Sequence, residues 1–115
     1  MFLKRIYWDL SDEIGRFNYL NMILRHLPGD FGKMTRERII PKYFKRCGKG
    51  IHILEGVKFR GIHKIEVGNN FRLGEDNFLQ ASGGLYIGDD VMFGPGVKIW
   101  TVNHRFDDVE RPIAE

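Results

Sequence analysis

Apolar side chains follow two different periods along this chain, and the change comes near residue 47. Between residues 11 and 27, Ile14, Phe17, Leu20, Ile23, Leu24 and Leu27 recur at spacings of three and four, the interval that gathers side chains on one face of an α-helix. Ser11 stands as an N-cap, Asp12 and Glu13 suit the positive end of the helix dipole, and Pro28-Gly29 stop the helix. Thr35 is placed to cap a second short helical stretch, which Pro41 either ends or restarts as a first-turn proline before residues 42–46.

Beyond this point the helical period vanishes. Apolar residues stand at Cys47, Ile53 and Phe59, then Val67, Leu73 and Leu79, then Ile87, Phe93 and Ile99, with gaps of 6, 6, 8, 6, 6, 8, 6 and 6. The pattern repeats every 20 residues, three times over, as two six-residue sides and one eight-residue side. Two positions before each later anchor come Ile51, Val57, Ile65, Phe71, Asn77, Leu85, Val91 and Val97, all apolar except Asn77. Same-facing residues separated by one outward residue mark a short β-strand. Glycine follows the anchor at Gly48, Gly68, Gly74, Gly88 and Gly94, where it would let the chain turn a corner without a Cβ. The spacing thus predicts a mainly β fold: a parallel coil of about three turns over residues 47–104, its inward side chains stacked in ladders. A helical segment, residues 1–46, precedes the coil, and residues 105–115 follow it.

Composition narrows the picture only slightly. A chain of 115 residues builds one core at most. The formal charge of +3 is too small to argue for nucleic acid, and the basic cluster Lys42, Lys45, Arg46 and Lys49 reads as a solvated face. Cys47 is the only cysteine, so no intrachain disulfide forms and a cytoplasmic protein is expected. The N-terminus is too short for a signal h-region, and no run of about 18 apolar residues exists to span a membrane.

Two stretches carry a family resemblance. Ile87-Gly-Asp-Asp-Val-Met-Phe-Gly-Pro-Gly-Val-Lys-Ile99, followed by Thr101-Val-Asn-His104-Arg-Phe-Asp-Asp108, resembles the hexapeptide-repeat O-acetyltransferases, those similar to maltose, galactoside and exopolysaccharide acetyltransferases. Ala81-Ser-Gly-Gly84 between coils is typical of the same group. The resemblance covers residues 47–108 and extends only loosely to the helical segment. It implies left-handed winding of the β-helix, which spacing alone does not give, since ordinary parallel crossovers are right-handed. It also implies a homotrimer, acetyl-CoA as cosubstrate with no bound cofactor or metal, and a sugar hydroxyl as acceptor.

Acetyl transfer to a hydroxyl needs a base, and an imidazole with a reference pKa of about 6.5 is suited to the task. Of the four histidines, His26 sits beside the helical stripe, while His52 and His63 alternate with inward residues and read as outer-surface positions. His104 differs. One period back lie Gly84 beneath His104, Gly83 beneath Asn103 and Ala81 beneath Thr101, a floor of small residues with room for a substrate. The residues alone leave His104 equally readable as an exposed loop histidine, and the family resemblance makes it the expected general base. The resemblance adds Asp76, Asn77 and Asn103 as acceptor-binding residues. The residues themselves leave Asn77 equally readable as a buried amide bonded to neighbouring turns. Asp107 or Asp108 is either an orienting partner for the His104 ring or a loop charge, and Trp100 flanks the cleft. A zinc-dependent hydratase would require clustered histidines, but His52, His63 and His104 do not stack at the period of 20. The alternative expectation is a catalytically inactive, truncated β-helix fragment, because the resembling enzymes continue with a projecting loop, which residues 105–115 would begin, and several further coils that bind much of CoA.

Overall fold

A computed structural model describes residues 2–101. Nine short strands follow one another from Arg46: β1 (Arg46–Cys47), β2 (His52–Ile53), β3 (Lys58–Arg60), β4 (Ile65–Val67), β5 (Arg72–Leu73), β6 (Phe78–Ala81), β7 (Leu85–Ile87), β8 (Met92–Phe93) and β9 (Lys98–Thr101). They pair in parallel as three sheets, β1-β4-β7, β2-β5-β8 and β3-β6-β9. Each circuit of three strands therefore stacks on the one before, a parallel β-helix-like arrangement. The register matches the spacing: Cys47 pairs with Val67 and Val67 with Ile87, Ile53 with Leu73 and Leu73 with Phe93, Phe59 with Leu79 and Leu79 with Ile99. Ile53, Leu73 and Leu79 are wholly buried, and removing each such side chain from water stabilises the coil by roughly 1.5–3 kcal/mol.

The corners are built differently from the sequence expectation. Left-handed backbone falls not on the glycines that follow the anchors but three residues past the anchors, at Gly50, Asn70 and Asp90 on one edge and Gly56, Asp76 and Gly96 on another. Both sets keep the period of 20, and both use the residue types that best tolerate positive φ. The glycine after the anchor serves close stacking instead. A Cβ at Gly74 would lie 2.8 Å from the carbonyl carbon of Gly94 in the next circuit.

The N-terminal segment holds three helices, α1 (Phe2–Leu10), α2 (Glu13–Leu24) and α3 (Gly29–Ile39), followed by a 3-10 turn at Ile40–Tyr43. This corrects the helix bounds in several ways. Asp12 rather than Ser11 caps α2, its carboxylate accepting from the Gly15 amide at 2.7 Å. α3 starts at once after Pro28 instead of at Thr35, whose hydroxyl donates to the Phe31 carbonyl inside the helix. Of the expected stripe, Phe17 and Leu24 are buried and Leu20 and Leu27 pack against the core, but Ile14 and Ile23 are exposed.

α2 and α3 close the first circuit of the coil. Ile53 turns its amide and carbonyl away from β5, and α3 meets both: Glu37 accepts from the amide at 3.1 Å, and Arg36 Nε donates to the carbonyl at 3.0 Å. Arg36 Nη1 also donates to the carbonyls of Leu24 and Leu27, acceptors left over at the end of α2. Asn21 donates to the Val57 carbonyl, and the Gly56 amide donates to that of Arg25. An edge that would otherwise invite pairing is thus covered.

Candidate functional site

The sheet β3-β6-β9 ends at the corner to which the sequence assigns the chemistry. Thr101 pairs with Ala81, as the period requires, and the Gly83 amide donates to the Thr101 carbonyl at 3.1 Å. Gln80, 6% exposed, accepts from both the amide and the hydroxyl of Ser82, and the Gly84 amide closes back on the Ala81 carbonyl with φ of +89° at Gly84. Ser82, Gly83 and Gly84 therefore form a shelf fixed by its own hydrogen bonds, with almost no side-chain bulk. His104 and Asn103, together with Asp107 and Asp108, lie outside the described residues.

Beside the shelf opens a cleft of about 570 Å3. Its floor is Ser82, Gly83 and Gly84, and its walls include His63, Lys64, Glu66 and Tyr86. The Lys64 ammonium donates to the Ser82 carbonyl at 2.9 Å. Glu66 stands between Lys45 and Arg46, with contacts of 3.7 and 3.8 Å. Tyr86 is 74% exposed. The cleft thus sets hydrogen-bonding side chains and the exposed Tyr86 beside a surface of small residues.

His63 was legible but missed. Counting back two periods from Asn103 gives Gly83 and then His63, and two periods from His104 gives Gly84 and then Lys64. Alternation with inward residues marked His63 as outer surface, which it is, but that surface is the cleft wall. His52 is held elsewhere, its Nδ1 3.1 Å from the Lys33 ammonium and 3.5 Å from Glu37, at the joint between α3 and β2. His26 lies past the end of α2 and is exposed.

The two acceptor-binding residues expected in the second circuit part company. Asp76 is an exposed corner residue with φ of +60°. Asn77 points inward and is wholly buried, its amide donating to the Gly94 carbonyl at 2.8 Å. That bond joins neighbouring circuits, while the buried Asn77 Oδ1 has no hydrogen-bond partner among the described residues. Cys47 is half-buried, and desolvation raises its thiol pKa. Among the described residues, no three of His, Cys, Asp and Glu come together as a metal-ion site, and no helix is long and apolar enough to cross a membrane. Trp100 is exposed and meets Phe78 edge to face. Comparison with known proteins finds no family model that matches the chain and no solved structure that matches it.

Proposed function

We propose that this protein is an O-acyltransferase of the hexapeptide-repeat kind, carrying an acetyl group from acetyl-CoA to a saccharide hydroxyl with His104 as general base. In the proposed step the imidazole takes the hydroxyl proton as the acceptor oxygen attacks the thioester carbonyl. The new C–O bond forms, the C–S bond breaks, and the imidazolium returns its proton to the departing CoA sulfur. Left-handed winding and a homotrimeric assembly belong to the same proposal and rest on the sequence resemblance. One observation carries the reading: the register holds through the Thr101–Ala81 pair, three residues before His104. If the period continued past that pair, residue 104 would fall over Gly84, beside the cleft lined by His63, Lys64 and Tyr86.

The test uses the full native polypeptide that carries this sequence. It is incubated with acetyl-CoA and a panel of saccharides while thiol release is followed, and its solution mass is measured beside the assay. Saccharide-dependent release from a species three times the chain mass is expected. His104→Ala is expected to lose about 10²–10⁴ in turnover with its far-UV circular dichroism unchanged. Unchanged turnover in the variant, or no release with any saccharide, would overturn the proposal.

A further inference from the structure

A second cleft, of about 420 Å3, lies between α2 and the outward face of β3 and β6, and its size is that of small-molecule sites, about 300–1,000 Å3. Asn21 and Arg25 line it from neighbouring turns of α2. Asn21 is 2% exposed; its Nδ2 donates to the Val57 carbonyl, but its Oδ1 is buried with no donor among the described residues. The Arg25 Nε is buried with no acceptor among them. One side of the cleft therefore holds an unmet acceptor and an unmet donor, four residues apart, that do not satisfy each other. Leaving buried polar groups unmet is costly, and a hydroxyl, which both donates and accepts, would serve the two at once.

The facing side is cationic. Lys58 and Arg60 alternate with the buried Phe59 on β3, so both side chains stand on the outward face, about 6.6 Å apart along the strand. None of the ion pairs among the described residues uses Lys58, Arg60 or Arg25. The one carboxylate in the lining, Asp9, accepts from the Tyr19 hydroxyl at 2.9 Å. It sits beside Gly15, about 15 Å along α2 from Arg25. Glu55 and Asp76 are exposed at the corner where the Gly56 amide meets the Arg25 carbonyl, and neither lines the cleft. Phe78 pairs with Lys58 across the strands and adds a half-buried ring to the same wall.

We infer that this cleft binds an acidic sugar, a ring bearing a carboxylate or a phosphate, with a hydroxyl between Asn21 and Arg25 and the acid group on Lys58 and Arg60. Each part of that ligand answers one part of the lining. The hydroxyl supplies the donor that Asn21 Oδ1 lacks and the acceptor that Arg25 Nε lacks. Its entry requires the half-buried Arg25 side chain to shift. The acid group gives two cations without ion-pair partners the charge-assisted hydrogen bonds they do not make within the chain. The C–H face of the sugar ring lies against Phe78. A neutral sugar would leave Lys58 and Arg60 unmatched, and a bare anion would leave Asn21 without its donor.

This inference is independent of the catalytic reading, and its test needs no acetyl-CoA. The full native polypeptide is titrated calorimetrically with glucuronate, glucose 6-phosphate, glucose and inorganic phosphate. Binding of glucuronate or glucose 6-phosphate is expected, with glucose and inorganic phosphate each weaker by about tenfold or more; the tighter of the two acids tells carboxylate from phosphate. Lys58→Ala/Arg60→Ala, at two exposed positions, and Arg25→Ala are each expected to lower that affinity by about tenfold or more with far-UV circular dichroism unchanged. No binding of either acidic sugar, or equal binding by either variant, would overturn the inference. Inorganic phosphate bound as tightly as the acidic sugars would reduce the cleft to an ion site and overturn it as well. So would loss of binding in Tyr86→Ala with Lys58→Ala/Arg60→Ala unaffected, since the sugar would then occupy the cleft beside Ser82, Gly83 and Gly84.

Discussion

Burial holds the pKa of the Arg36 guanidinium below its ordinary value, while Glu55 and Glu37 oppose the shift. The cost of burying that charge is offset by three carbonyl acceptors, those of Ile53, Leu24 and Leu27. Arg36→Met keeps much of the side-chain volume but leaves those acceptors without a donor. It is expected to lower stability by about 3 kcal/mol, read as an earlier urea midpoint at an unchanged slope. An unchanged midpoint would mean that the helical cap does not depend on this side chain. Nothing in the sequence singled out Arg36, because a cation inside a helix of ordinary composition looks like solvated surface until its carbonyl partners are known. Asn77 shows the opposite case. As the one polar residue in an apolar column it was visible at once, and its Nδ2 donates to the Gly94 carbonyl while its Oδ1 has no partner among the described residues.

Among the elements, the strands were the most legible part of the chain and the helix ends the least. A period of 20 held over three circuits fixes nine strand positions together, so local ambiguity at any one of them is overruled by the others. Helix caps have no such reinforcement. Ser11 and Asp12 are both good caps in sequence, and the choice between them is made by α1, which occupies the residues just before. The glycines misled for a related reason: composition shows where glycine is required but not whether φ or closeness requires it. Gly74 separates the two. Its φ is not positive, and its role is contact with Gly94. Gly74→Ala is therefore expected to push the second and third circuits apart and to cost about 1–3 kcal/mol, measured by denaturant titration. A variant as stable as the parent would show that the circuits have slack at this corner.

At the scale of the whole molecule, helices close one end of the coil and the shelf of Ser82, Gly83 and Gly84 marks its wall. The strand pairing beside the candidate site was readable from sequence: subtracting one period from Thr101 gives Ala81, and the structure pairs them. His63 on the cleft wall follows from the same count, two periods before Asn103, but the pattern marks it only as an outward residue and does not say what outward residues line. The central claim is that the period continues past Thr101 and carries Asn103 and His104 over Gly83 and Gly84. Cysteine cross-linking tests it most directly. In a Cys47→Ser background, Gly83→Cys and Asn103→Cys would sit one sheet spacing apart, about 4.8 Å, within the span of about 4.4–6.8 Å that a disulfide accepts between Cα atoms. Rapid and complete disulfide formation under mild oxidation is expected for this pair, with none between Asn103→Cys and Glu75→Cys on another corner. Failure of the first pair to close, or equal closure of both, would contradict the register on which the assignment of His104 rests.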